Sequence, residues 1–320
     1  MRLYFAEGGG LVWFLTWLSS AGCPIILLPL AVNYVRRRSK SAADGIMPPF
    51  FIVKPKLLVC GAAIGIIAAA DNYFYVYGMS KLPVSTFAII GATQLAFTAG
   101  FAFLIVKQKF TPYSINAVVL LTAAAAVLSL DAKNVRLSGE PSVDYWTGFC
   151  FTAGEAVLFG LIMSLVELSY SKSQQPMTYG LVLEFQLAMC SSACVCSAIG
   201  MAATGGFAKI RTDAAGFESG RAKYCAVALF TAAACQCFFL GAIGVVCFSS
   251  SLFSGVVLNS LLVLVEICAV VFFHDEFGAG KAVALFLSLW GFASYSYGEY
   301  RIRVRVPIPG NDDDNVPSQA

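Results

Sequence analysis

Of the 320 residues, 58% are apolar and only 12% are charged, where an ordinary soluble domain carries about a quarter of its residues as charges. A mean hydropathy of +0.77 spreads that apolar excess along the whole chain, which excludes both a soluble domain and a protein with a single anchor. The net charge of +3 rests on 21 Lys+Arg against 18 Asp+Glu, mostly between apolar runs, so it bears on membrane orientation and gives no reason to expect a nucleic-acid partner.

Apolar runs long enough to cross a hydrocarbon layer of about 30 Å form nine segments: 11–34, 57–79, 83–106, 113–130, 146–170, 179–203, 224–248, 251–273 and 282–298. Runs that are apolar on every side cannot be strands of a lipid-facing barrel, whose inward and outward residues alternate. The fold class is therefore an all-α polytopic membrane protein. In the first segment Pro24 lies well inside the run and predicts a functional helix break, whereas Pro29 and Pro83 read as ordinary boundaries. The second carries Asp71-Asn72-Tyr73-Phe74-Tyr75, with an acid and an aromatic at i and i+4 on one helical face. The third holds Gln94; the fifth holds Glu155 and, near its end, Glu167, which is expected to reach water. Glu184 and Gln186 follow in the sixth, Gln236 in the seventh, and Asn259 and Glu266 in the eighth. The last two are seven residues apart, nearly on one face, with about 10 Å of axial rise between them. Trp13, Trp17, Trp146, Tyr179 and Tyr224 near segment ends read as interface anchors. The connectors 35–56, 131–145 and 204–223 are the longest, and none has room for a soluble domain. The basic cluster Arg36, Arg37, Arg38 and Lys40 beside a helix end puts that face, and the C-terminus, in the cytosol.

The chain repeats itself. Ala68 to Tyr75 (AAADNYFY) resembles Ala232 to Phe239 (AAACQCFF), Gln94 falls opposite Asn259, and Phe110 opposite Phe277, with offsets drifting only from 164 to 167 residues. Residues 1–130 are then a four-helix first repeat, 131–300 a five-helix second repeat, and 301–320 a disordered cytosolic tail. A unit with an odd number of crossings is duplicated upside down, the pattern of inverted-repeat transporters with a site near the midplane. Symmetry predicts ten helices, so the counterpart of 146–170 is expected upstream of Met1 or is absent from a shorter form.

Polar side chains inside a bilayer are costly and mark functional positions. Asp71, Glu184 and Glu266 are the proton-coupling candidates, because a carboxylate in a low-dielectric cavity can take a proton at one face and release it at the other. Asn72, Tyr75, Gln94, Gln186, Gln236 and Asn259 are the substrate-binding candidates. Carboxamides pair with the donor and acceptor edge of a purine, and aromatic rings stack on its face. No Lys or Arg lies inside any segment, which disfavours a multiply anionic cargo. All eleven cysteines fall in apolar stretches and read as small packing residues; with His274 the only histidine, no metal site and no cofactor is expected. A nucleophile elbow and paired metal ligands are both lacking, so an intramembrane enzyme is disfavoured.

Three stretches carry a family resemblance: FAEGGGLVWFLTWLSSAGCPIILLPL at 5–30, DNYFYVYGMSKLPVSTFAIIGATQLAFTAGFAFLIVKQKF at 71–110, and FFHDEFGAGKAVALFLSLWGFASYSYGEY at 272–300. Together with LVLEFQLAM at 181–189, they resemble the plant purine permeases of the drug/metabolite transporter superfamily. The resemblance implies a ten-helix fold of two inverted five-helix repeats, with the first helix missing from this chain, and energised uptake of adenine, cytokinins, caffeine or related N-heterocycles. It also implies a small purine-like cargo and protons as partners, and the plasma membrane as the location. The chain departs from the family pattern at Ser19-Ser20, Glu155 and Met163. The alternative expectation is a truncated, non-transporting paralogue with a regulatory or interaction role in the membrane.

Overall fold

The structure is a computed structural model that describes residues 1–41, 51–82, 87, 90–91, 93–108, 110–131, 143–217, 220–261 and 279–305. Among these residues every regular element is a helix: α1 (Arg2–Ala6), α2 (Val12–Ala21), α3 (Pro24–Ser41), α4 (Pro55–Lys81), α5 (Gln94–Phe101) and α6 (Pro112–Asp131). The second half adds α7 (Val143–Ser173), α8 (Tyr179–Ala203), α9 (Gly206–Ala215), α10 (Gly220–Phe248), α11 (Ser251–Leu261) and α12 (Ala279–Arg305). Five stretches among the described residues are long and apolar enough to cross a membrane: 12–39, α4, α7, α8 and α10. Each of the nine segments expected from hydropathy contains a helix, although the third and eighth run partly outside the described residues.

Backbone groups have no water to bond in hydrocarbon, so each crossing closes its hydrogen bonds internally and marks its ends with residues that suit a terminus. Proline opens α3, α4 and α6, where its missing N–H costs nothing. Thr178 caps α8, its Oγ1 accepting from the Leu181 amide at 3.3 Å. The lipid-facing surface is apolar, with Leu28, Val59, Leu104, Leu229, Phe230 and Phe286 all exposed.

Helix α4 is the hub and packs along both α7 and α8, while α2 lies across α4, α8 and α10. Close approach depends on small residues. The largest apolar core, built on Phe159, Met163, Phe185, Met189 and Ile243, fills the space between α4, α7, α8 and α10. A second core, around Tyr4, Phe14, Leu18, Met201, Phe217 and Tyr224, closes the end of the bundle where α2 begins. A third joins α5, α6, α11 and α12 through Leu95, Leu121, Leu252 and Tyr295.

Two features differ from the sequence expectation. The connector 204–223 contains a helix, α9, whose Phe207, Ile210 and Ala214 recur along one stripe, with Ile210 and Ala214 packed on the second core. A polar, ten-residue helix gives no hydropathy signal on its own. Tyr224 is buried and not an exposed anchor, whereas Trp146 and Tyr179 are exposed at 56% and 78%.

Candidate functional site

The first segment breaks where Pro24 predicts. In a continuous helix the Ser20 carbonyl would accept from the amide of residue 24, and proline has none. Helix α2 therefore ends at Ala21 with Gly22 as its C-cap, α3 restarts at Pro24, and the Ser20 oxygen turns to other donors: the Cys23 amide at 3.4 Å and the Cys190 thiol at 3.0 Å. Only glycine fits at the break. A Cβ on Gly22 would stand 2.5 Å from the Ala232 carbonyl oxygen and 2.7 Å from Gln236 Cβ.

A polar cluster surrounds this break. Asp71 and Asn72 on α4, Glu155 on α7, Cys190 on α8 and Gln236 on α10 each lie in the middle third of their helix. Asn72 Nδ2 donates to Ser20 Oγ at 3.5 Å, and the Cys190 thiol reaches Gln236 Oε1 at 3.0 Å. Gln236 is 1% exposed, and its Nε2 has no hydrogen-bond partner among the described residues. Asp71 is 3% exposed, with Oδ1 equally unpartnered, and it interacts electrostatically with Glu155. Neither acid has an ion-pair partner among the described residues. Gln186, one turn before Cys190 on α8, is buried with an unpartnered Oε1. Tyr75 is half-buried, edge-on to Phe87 with centroids 5.3 Å apart, and the Arg2 guanidinium lies 5.6 Å over that same Phe87 ring. Arg2 is a half-buried cation that lies outside the apolar segments.

The other candidates lie apart. Asn259 on α11 donates from Nδ2 to the Gly255 carbonyl at 3.1 Å, leaving a buried Oδ1 without a partner among the described residues. Gln94 opens α5 and is half-buried. Helices α5 and α11 touch where Gly255 faces Leu95 and Thr98. Glu266 lies outside the described residues. Glu184 sits near the start of α8, at the face where α3 ends and α4 begins. It is 1% exposed, accepts through Oε2 from the Ile52 and Val53 amides at 2.7 and 2.9 Å, and stands 3.8 Å from the Arg37 guanidinium. Gln175 adds to this strap by accepting from the Lys54 amide and donating to the Ile52 carbonyl. Glu167, expected to reach water, is half-buried and accepts from the Ser251 amide at 2.7 Å, at the N-terminus of α11.

At the opposite face Asp213 of α9 gathers three donors. It accepts from the Tyr4 hydroxyl, from Tyr224 at 3.2 Å and from the Gly10 amide at 2.9 Å. Burial first, and the bond to Asp213 second, push the Tyr4 phenol above its ordinary range. A cleft of about 780 Å³ runs between the start of α8 and the second half of α10, lined by Val182, Leu240, Gly241, Gly244 and Phe248. No residue of the polar cluster lines it.

A family profile described as purine nucleobase transmembrane transport matches residues 1–303. The chain belongs to the purine permease family. It is 48% identical over 302 residues to purine permease 3 of Arabidopsis thaliana, covering 94% of this chain and 86% of that one. It is 46% identical to purine permease 2 of the same plant, and 33% identical to its probable purine permease 11, over 94% and 92% of this chain. These relatives are named permeases, so the family is one of integral membrane transporters and not of enzymes. Sequence reasoning named Asp71, Asn72, Tyr75, Gln186 and Gln236 but missed Cys190 as a polar partner, because cysteines in apolar runs read as packing residues, and marked Ser20 only as a departure from the family pattern. The signal that could have found them is Pro24, which orphans a carbonyl whose identity follows from counting back four residues.

Proposed function

We propose that this chain carries purine nucleobases, or N-heterocycles of the same shape such as cytokinins and caffeine-like alkaloids, across the plasma membrane together with protons. The observation that carries this reading is hydrogen-bonding capacity left unused and buried among the described residues: the Gln236 amide nitrogen and Asp71 Oδ1 beside the helix break, and the Gln186 carbonyl one turn from Cys190 toward the Glu184 end of α8. Buried unpaired polar atoms are expensive unless a cargo pairs with them. Two carboxamides offer the donor and acceptor pattern of a purine edge, and Tyr75 with Phe87 supplies aromatic surface for the ring.

Asp71 and Glu155 are our candidates for the proton path, since paired acids in a membrane interior serve as relays when a cavity opens to either side. Glu266 stays with them on its place in the sequence, and Glu184 acts through the strap it holds. The two halves form inverted repeats of a drug/metabolite transporter fold. The contact of α5 with α11, whose Gln94 and Asn259 the repeat pairs, supports that, as does the pairing of α6 with α12, the last helix of each half. The test is uptake of labelled adenine and trans-zeatin by yeast lacking its own adenine uptake, at acidic and neutral pH. Saturable uptake that rises at acidic pH and collapses with an uncoupler is expected. Uptake indifferent to the uncoupler removes proton coupling, and no uptake by protein present at the cell surface removes transport.

A further inference from the structure

Resting on that reading, we infer that Cys190 is a positioning residue that turns the Gln236 carboxamide so that its NH2 end faces the cargo, making an acceptor nitrogen on the cargo a condition of tight binding. A carboxamide has nearly the same shape whichever way it is turned, and only its hydrogen-bond partners decide which end is donor and which acceptor. At Gln236 the Oε1 end is held at 3.0 Å by the Cys190 thiol, while Nε2 is buried and unpartnered among the described residues. Asn72 completes the edge from α4: its Nδ2 stands 3.5 Å from Ser20 Oγ, a hydroxyl that either donates or accepts, so this carboxamide adapts to the cargo while Gln236 does not. A fixed donor beside an adaptable amide matches the ring nitrogen and exocyclic amine of an adenine-like edge.

The thiol is itself fixed by the break. Its second contact is the Ser20 carbonyl at 3.0 Å, the oxygen that Pro24 deprives of a helical partner. Cys190 therefore stands between α2 and α10 within reach of an oxygen on each; its single S–H serves one at a time, and since the Ser20 carbonyl also accepts from the Cys23 amide at 3.4 Å, Gln236 Oε1 is the oxygen that a hydrocarbon side chain of the same size would leave without a donor. Serine keeps a donor in the same place, whereas alanine does not.

The experiment measures inhibition of adenine uptake by 1-deaza-, 3-deaza- and 7-deazaadenine in wild type, Cys190→Ala, Cys190→Ser and Gln236→Glu, each corrected for surface abundance. In wild type one deaza analogue is expected to compete about ten-fold less well than adenine, as a buried donor left unpaired demands. Cys190→Ala raises the KM for adenine about three- to ten-fold with maximal rate little changed, and narrows the gap between adenine and that analogue. Cys190→Ser restores both. Gln236→Glu, which replaces the donor by an acceptor, abolishes the gap. Unchanged KM and analogue ratios in Cys190→Ala overturn the inference. Should that variant fail to accumulate, an undiminished gap in Gln236→Glu overturns it alone. Absence of adenine uptake by wild type speaks instead against the transport reading, so the two failures are told apart.

Discussion

A carboxylate accepting from two backbone amides at 2.7 and 2.9 Å, with a guanidinium 3.8 Å away, is anchored where a proton carrier has to exchange with water. Glu184 meets that description through Oε2, its Oε1 facing only the Arg37 guanidinium; Asp71, beside a second acid and with neither an amide donor nor a cation among the described residues, does not. Replacing Glu184 by Gln keeps one acceptor but removes the charge. The expected result is a loss of about 1.5–3 kcal/mol in stability, the worth of hydrogen bonds to a charged group, read as a lower melting temperature in detergent, with the pH profile of uptake preserved. Asp71→Asn is expected to do the reverse, flattening the pH profile at little cost in melting temperature. A flattened profile in Glu184→Gln would return Glu184 to the coupling path. Depth in an apolar run was legible in the sequence and picked out both acids. Their difference was not, because the amides that claim Glu184 belong to residues about 130 positions earlier and meet it only through tertiary packing.

Helices, and the places where they stop, were more legible than side-chain partners. Each of the nine apolar segments contains a helix among the described residues, five stretches of them long and apolar enough to cross a membrane, and Pro24 located the break, since both signals are local. The amphipathic α9 was not legible, because its stripe acquires meaning only once the second core exists to receive it. Pro24→Ala gives the Ser20 carbonyl its helical donor back and removes the reason for the break. Stability is expected to hold or rise, while uptake falls roughly ten-fold or more as the groups around Gly22 lose their alignment. Undiminished uptake would make the break a packing feature. At the other face, Tyr4 fastens the N-terminal segment to α9 through Asp213, and its phenol is held neutral by burial and by that bond. A raised pKa in the folded state gives stability that is complete below the unfolded value of about 10 and is lost as pH climbs toward the folded one. The melting temperature of wild type is therefore expected to drop above about pH 10 more steeply than that of Tyr4→Phe. Parallel curves would remove Tyr4 from the account.

For the molecule as a whole, transport requires that one set of helices move against another, and packing suggests where the seam does not run. Helices α6 and α12 meet along their length: Leu121 and Ala117 face Gly291, and Asn116 Nδ2 donates to Ser294 Oγ at 3.1 Å. Ser294 in turn donates to the Tyr113 carbonyl at 3.3 Å. Interfaces this closely interdigitated switch between discrete arrangements or move as one body, and they do not slide continuously. The polar cluster, by contrast, lies where α2, α4, α7, α8 and α10 converge, with Glu184 tying one face and Asp213 the other. We therefore expect α6 and α12 to travel together while the contacts at Glu184 and Asp213 open in turn. Joining the pair through Asn116→Cys with Ser294→Cys, oxidised to a disulfide, is expected to leave uptake close to that of the reduced protein. The comparison is made on the same cells before and after a reductant, with the crosslinked fraction read by gel. Uptake lost on oxidation and regained on reduction would place the moving seam between α6 and α12, and the conformational cycle would have to be built around that edge instead of around the broken helix.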